Sequence, residues 1–353
     1  MPNLVAKRGG GASEQNEAMR VQYTNQGIYL EELDLWLDPS GSPGAAWFSH
    51  AHSDHARFYP QQVFGTAVTL EIYRMRWPAK EDRPQELQTV RFGEIWDFCG
   101  ARLTAYPAGH ILGAAQLLVE YDGERLVYTG DLKLRAPLCG NPTEVVPCDH
   151  LITESTFGLP VYGFLSREEA RERILAFARE TMEDGAIPAF TGYPLGRGQE
   201  IAHVLCEAGI PTAVHGAIAK FLPIYARLGY GFAGWEPYDA KNLKGKALVL
   251  VPGVKRHLEA RGLDVRHAYV SGWASVDNAR LRSGAECLIP YSDHADFAEL
   301  LALVDQSGAR RVDVVHGYAE AFAQILRNRG IGAQAPAVAA VRATEEEAAE
   351  EAA

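Results

Sequence analysis

The chain has 353 residues, 47% of them hydrophobic, which supplies a sizeable core and excludes wholesale disorder. Its length allows two domains or one elaborated one. The net charge of −11 argues against a polyanionic partner, but without the tail glutamates Glu345, Glu346, Glu347, Glu350 and Glu351 the balance is only −6, and bound divalent cations would cancel more.

Residues 1–20 are Gly-rich and polar, read as a flexible N-terminus without the apolar stretch of a secretory signal. From Ile28 to Asp131 short strands alternate with turns: IYLEELDLWLD, AAWFS, ARLTAYPA, AAQLLVEYDG and ERLVYTGD. LLVEY-DG-ERLVY predicts a hairpin turning at Asp122-Gly123, and LITE (151–154) closes this half. Ser166 and Glu169 predict a capping box. The helix it starts carries Ala170, Ile174, Leu175, Ala178 and Met182 at helical spacing. AIPAF, PTAVH, KALVLV and RHAYVS predict short buried strands between helices, an α/β pattern with a parallel sheet. Asp296 and Glu299 cap a helix with Phe297, Leu300, Leu301 and Val304; RVDVVH is a strand, and AEAFAQILRNRG a helix stopped by Gly330. An acidic, flexible tail follows from 336 to 353. No apolar run approaches a membrane span, so a cytoplasmic protein with no membrane partner is expected. The five cysteines are scattered without a C-x-x-C pair, which suits buried thiols in a reducing compartment.

The run His50-x-His52-x-Asp54-His55 is the most informative feature. Three imidazoles and a carboxylate within six residues are costly to bury without partners. They make sense as ligands for two metal ions. His110, Asp131, Glu154 and His316 each lie at or just past the C-terminal end of a predicted strand. Strand ends of packed sheets share a rim where distant residues converge. Two divalent ions, with zinc favoured and manganese the other candidate, and a metallohydrolase are the expectation. No Ser-His-Asp or Cys-His pattern competes. His150, His203, His215, His257 and His267 belong to no cluster and read as packed or surface residues.

Together these motifs resemble a known family. H-A-H-S-D-H, P-A-G-H-I-L-G-A (His110) and Y-T-G-D (Asp131) resemble the successive signatures of the metallo-β-lactamase fold. LITEST (Glu154), PYSDHAD (His294), VVHG (His316) and TGYPLGRGQE resemble motifs of its β-CASP branch of nucleic-acid-processing nucleases. The resemblance covers roughly residues 28–335, and within the branch it is greatest to the ligase-associated DNA exonucleases. It implies an α/β (α+β sandwich) fold: an αββα core over 21–165 and 286–335, with a β-CASP α/β domain inserted at 166–285. It also implies one metal held by His50, His52, His110 and Asp131. The second would be held by Asp54, His55, Asp131 and His316, with Asp131 bridging. Asp38 would support the cluster from behind. Asp54, His294 and Glu154 would be catalytic: Asp54 would help hold the attacking water, and His294, oriented by Glu154, would protonate the leaving oxygen. On residue chemistry alone, His294 could instead be a helix-entry residue and Glu154 a cap for the segment STFG.

Substrate grip needs cationic or N–H donors. Gly196-Arg197-Gly198 precedes the helix QEIAHVLCEAG, so its N–H groups and Arg197 could face a phosphate; a turn with an exposed Arg is the alternative. Arg57, Lys133 and Arg135 are candidate backbone contacts, and Lys133 could equally be a surface residue. Tyr193, Tyr291 and Trp273 could stack on bases or belong to the core. Three function classes remain. The first is a DNA exonuclease acting in repair with a ligase and helicase. The second is an RNA-processing ribonuclease of the same branch, a reading that His316 keeps open. The third is a non-catalytic nucleic-acid-binding subunit, which a complete ligand set opposes.

Overall fold

The computed structural model describes residues 19–83, 85–254 and 262–337. Most of the expected flexible N-terminus, nearly all of the acidic tail and His257 lie outside the described residues.

Six strands form the first sheet, in chain order: β1 (Val21–Thr24), β2 (Gly27–Leu30), β3 (Leu35–Leu37), β4 (Ala45–Trp47), β5 (Gln62–Thr66) and β6 (Glu86–Val90). The stretch IYLEELDLWLD is therefore not one strand. A 3-10 turn at Glu31–Leu33 and a left-handed Asp34 fold it into the antiparallel pair β2/β3. β7 (Ile95–Phe98), β8 (Ala101–Pro107), β9 (Ala115–Tyr121), β10 (Glu124–Tyr128) and β11 (His150–Glu154) belong to a second sheet. β9 and β10 form the expected hairpin, with positive φ at both Asp122 and Gly123, as a tight primed turn requires.

The chain then leaves this sheet. β12 (Ile187–Thr191), β13 (Thr212–Val214), β14 (Trp235–Pro237), β15 (Ala247–Leu250), β16 (Val265–Val270) and β17 (Cys287–Ile289) form a third sheet with every pairing parallel. Its order is β14-β13-β15-β12-β16-β17. Cys287–Ile289 thus pairs with Val265–Val270, so the return to the core expected at 286 comes one strand later. β18 (Arg311–Val315) and β19 (Gly332–Gln334) then rejoin the second sheet, β18 lying parallel beside β11.

The layers follow from alternation. In β9, Leu117 and Val119 face one core while Leu118 faces another; in β10, Leu126 and Tyr128 oppose Val127 in the same way. Leu117, Val119, Leu126 and Tyr128 pack with Leu37, Trp47 and Phe64 of the first sheet. On that sheet's other side, the helix Ala67–Arg76 buries Leu70 and Tyr73 with Phe48 and Val63. Beyond the second sheet, helices Phe297–Ser307 and Ala319–Asn328 bury Leu300, Leu303, Phe322 and Leu326. This is a four-layered αββα sandwich with a separate parallel α/β sheet.

Both expected capping boxes are present. Ser166 Oγ accepts from the Glu169 N–H at 3.2 Å while the Ser166 N–H donates to Glu169 Oε2 at 2.8 Å. Asp296 and Glu299 do the same at 2.9 and 3.1 Å. Such caps satisfy N–H groups that have no partner within the helix.

Candidate metal centre

The loop after β4 carries His50, His52, Asp54 and His55 to the rim where β8, β10, β11 and β18 end. His110 arrives after β8, Asp131 after β10 and His316 after β18, while Glu154 is the last residue of β11. Among the described residues, one ligand atom from each of His50, His52, His110 and Asp131 lies within 4.8 Å of the others, and all four residues are buried.

Hydrogen bonds to the outer ring nitrogens decide which nitrogen of each imidazole faces inward. His52 Nε2 lies 3.0 Å from the Leu195 carbonyl and His110 Nδ1 lies 2.9 Å from the Asp293 carbonyl. A carbonyl can only accept, so both nitrogens carry the proton. Ser49 Oγ donates to Asp38 and so accepts from His50 Nδ1 at 2.9 Å. The lone pairs of His50 Nε2, His52 Nδ1 and His110 Nε2 therefore face one another. They lie 3.2 Å (His50–His52) and 3.0 Å (His110–His52) apart, with no proton left to place between them. Asp131 Oδ2 lies 3.6 Å from His50 Nε2 and 3.7 Å from His110 Nε2. Three buried lone pairs and a carboxylate repel one another unless a cation sits among them. The donor set fits a divalent ion.

A second group shares Asp131. His55 donates from Nδ1 to Asp38 Oδ2 at 2.7 Å. Its Nε2 then lies 3.4 Å from Asp131 Oδ2 and 3.8 Å from Asp54 Oδ2. The His316 ring is centred 5.9 Å from that of His55.

Electrostatics follow this division. Burial and neighbouring imidazoles push His50 and His110 well below the ordinary histidine range, toward the neutral form that ligates. Burial lowers His52, and burial with the nearby His55 lowers His316. Burial opposes charge on His55 too, but Asp131, Asp54 and Asp38 outweigh it and hold the ring above its usual value. Burial likewise opposes the Asp131 carboxylate, yet His55, His294 and His50 keep it ionised.

Asp38 is held with a left-handed φ of 43° and gathers several donors. It accepts from the Ser49 N–H at 2.7 Å, from Tyr128 Oη at 2.8 Å and from His55. His316 is also left-handed, at φ 59°. Its carbonyl accepts from Ser155 Oγ at 2.6 Å, and Gly317 follows because a Cβ there would lie 2.4 Å from the Ser155 carbonyl oxygen. Two side chains of one cluster held in this sparsely populated region mark a site whose geometry is imposed by its surroundings.

Beside the cluster, His294 Nδ1 lies 2.9 Å from both oxygens of Glu154, which also accepts from the Leu132 N–H at 2.8 Å. Burial works against a charged His294, but Glu154 and Asp131 push it up to about 10.

Against known proteins, no family model matches the chain. It is 34% identical over 317 residues to a probable DNA ligase of Opitutus terrae, covering 88% of this chain and 30% of that protein. It is 34% identical over 211 residues to cleavage and polyadenylation specificity factor 73 of Drosophila melanogaster, covering 51% and 29%. An RNase J-like protein of Methanocaldococcus jannaschii is 27% identical over 273 residues, covering 68% and 64%.

The chain belongs to the β-CASP branch of the metallo-β-lactamase fold.

It spans less than a third of the length of the first two of these relatives. Among solved structures, a protein of unknown function from Enterococcus faecalis shares the fold, with a TM-score of 0.54 and 16% identity over 77% of this chain and 75% of that one.

The candidate substrate contacts fare differently. Arg197 and Lys133 are buried, not exposed. Lys133 Nζ lies 3.3 Å from Glu200 Oε1, and burial pulls its ammonium below the usual range despite that carboxylate. Arg135 bonds Asp296 at 2.8 Å and Glu299 at 2.6 Å. Arg57 is half-buried, its guanidinium 5.1 Å over the Phe58 ring. Tyr291 is fully buried beneath Arg197 and Lys133, Tyr193 meets the His52 ring edge-on at 5.0 Å, and Trp273 packs against Phe157 at 4.9 Å.

Sequence reasoning missed Ser49, Tyr128, Asp293 and the Leu195 carbonyl, all of which orient cluster residues. Ser49 is adjacent to His50 and Asp293 to His294, so motif adjacency was the available signal. The Leu195 carbonyl left none, because any residue supplies one.

Proposed function

We propose that the protein is a two-metal-dependent nuclease that hydrolyses DNA phosphodiester bonds, an exonuclease acting in repair with a DNA ligase and helicase in the cytoplasm. The convergence of three imidazole lone pairs on Asp131, with the Glu154–His294 pair alongside, carries this reading. The ligase relative, matched over 88% of this chain, supports DNA as the substrate.

His50, His52, His110 and Asp131 would hold one cation, and Asp54, His55, Asp131 and His316 would hold the second. When bound, two divalent ions, zinc or manganese, activate water near neutral pH and offset charge developing on the phosphoryl group. Asp38 fixes the tautomer of His55 and, through Ser49, that of His50. Asp54 also orients the attacking water. Glu154 engages His294 Nδ1, leaving Nε2 to give a proton to the departing 3′-oxygen. Arg57 is the remaining candidate for a phosphate contact. The inserted sheet, residues 166 to about 289, forms a clamp domain over the αββα core, and the cleft between them receives a strand end.

An RNA-processing ribonuclease is the second reading, supported by the RNase J-like relative and kept open, though not decided, by His316. The test uses end-labelled single- and double-stranded DNA and matched RNA, with 5′-phosphate or 5′-hydroxyl ends, in zinc, manganese and magnesium. Mononucleotides from DNA alone support the proposal; internal cuts in RNA alone overturn it. Full turnover after exhaustive chelation, or in Asp131→Ala, sinks the metal mechanism itself.

A further inference from the structure

One turn of the inserted sheet, residues 192–197, reaches the metal centre. The Leu195 carbonyl accepts from His52 Nε2 at 3.0 Å. Two residues on, the helix Arg197–Glu207 begins, and the side chain of Arg197 turns back into the protein. Its Nη2 lies 3.0 Å from Asp293 Oδ1. The carbonyl of that same Asp293 accepts from His110 Nδ1 at 2.9 Å. The guanidinium thus ties the turn that carries the Leu195 carbonyl to the side chain of Asp293, whose own carbonyl meets His110, and so links the two residues that fix the tautomers of His52 and His110.

The surroundings lock this bridge. Gly196, at φ 100°, packs so closely that a Cβ would lie 2.5 Å from Ile111 and 3.1 Å from Asp293 Oδ2. Arg197 Nη1 lies 3.3 Å from Glu200 Oε2, an ion pair without the angle of a hydrogen bond. Glu200 in turn accepts from the Leu138 N–H at 2.8 Å and pairs with Lys133. The guanidinium lies 4.6 Å over the Tyr291 ring. Arg197, Lys133, Glu200 and Asp293 make a charge-balanced quartet, and Arg197 keeps only 3% of its side chain exposed, too little to meet a phosphate backbone.

We infer that Arg197 is a positioning residue for the metal centre: by holding the Leu195 and Asp293 carbonyls in place, it aims His52 and His110 and sets the affinity of the site for its cation. The inference rests on the metal-centre reading above. It assigns the inserted sheet a part in assembling the cation site as well as covering it.

The test compares wild-type protein with Arg197→Gln, Arg197→Lys and Asp293→Asn, all stripped of metal. Cobalt(II) is titrated in while its visible d–d absorption is followed, with a chelator in competition. Folding is checked by far-UV circular dichroism, and kcat and KM are measured separately on a labelled oligonucleotide. Arg197→Gln and Asp293→Asn are expected to weaken cobalt binding about 10–100-fold, the usual effect of losing a group that orients a metal-bound histidine, and to alter the d–d band. kcat falls while KM holds. Arg197→Lys restores part of the loss, because an ammonium can meet one carboxylate but lacks the fork that meets two. Unchanged cobalt affinity and spectrum with a raised KM would make Arg197 a substrate contact and overturn the inference. So would lowered thermal stability with cobalt binding intact. If Arg197→Gln does not fold, Asp293→Asn decides, since it leaves Arg197 paired with Glu200. Wild-type protein that takes up no cobalt overturns the metal-centre reading, and the inference with it; variants that bind as wild type does overturn the inference alone.

Discussion

Replacing Lys133 with Met tests whether this lysine serves structure or substrate. Its side chain is fully buried, with Nζ 3.3 Å from Glu200 Oε1 and 3.4 Å from both Tyr291 Oη and the Ser292 carbonyl. Two unit charges at that separation attract by about 5 kcal/mol at an effective dielectric of about 20. Glu200 keeps the Leu138 N–H and Arg197 after the change, so part of its charge stays compensated. We expect a loss of about 3 kcal/mol, the lower end of what breaking a buried pair costs. Urea denaturation of metal-free protein measures this without any contribution from cation binding. The double variant Lys133→Met/Glu200→Gln should be about 1–3 kcal/mol more stable than the sum of the single effects, because the second change removes the charge that the first left unpaired. Stability within about 0.5 kcal/mol of wild type, with the salt dependence of DNA binding reduced by about one phosphate contact instead, would refute the argument.

Divalent ions should stabilise the fold: at a hundredfold excess of zinc over its dissociation constant the gain is about 2.7 kcal/mol, and a melting curve that ignores both zinc and chelator would count against the site. Thiol labelling at pH 8 should modify Cys99 first, since it is exposed, while burial pushes Cys148 up to about 12 and also raises Cys139, Cys206 and Cys287; rapid labelling of Cys148 in the folded protein would contradict the packing. Asp313, opposed by burial, is nonetheless held below the usual carboxylate range by hydrogen bonds from His150 and Tyr23. A depressed folded value gives stability that is present above about pH 4 and lost as pH falls through the folded value, so Asp313→Asn should flatten the acid limb of the stability curve; an unchanged limb would show that the carboxylate is not linked to folding there.

Much of this was written in local patterns. The two capping boxes, the Asp122-Gly123 hairpin and four strands of the third sheet, β12, β13, β15 and β16, follow from short-range rules and appear where those rules place them, whereas β14 carries no such signal. Where a pattern was ambiguous, packing decided. IYLEELDLWLD has the apolar content of one strand, but the left-handed Asp34 folds it into two. Cys287–Ile289 lies beside the S-D-H motif in sequence, yet it pairs with the third sheet because β16 offers it a free parallel edge.

Which residues are candidates for metal chemistry was legible from residue type and spacing. A run of three imidazoles and a carboxylate has no good apolar explanation, and strand-end His110 and Asp131 gather with His50 and His52 in one buried group. Tertiary structure alone decided how those rings are aimed. Tautomers depend on what each outer nitrogen meets, and those partners are Leu195 and Asp293, remote in sequence and reached through main-chain carbonyls that no residue type encodes. It also decided that Arg197 and Lys133 face inward. A cation on a turn looks the same in sequence whether it meets solvent or a buried carboxylate, and only the folded chain brings Glu200 and Asp293 alongside.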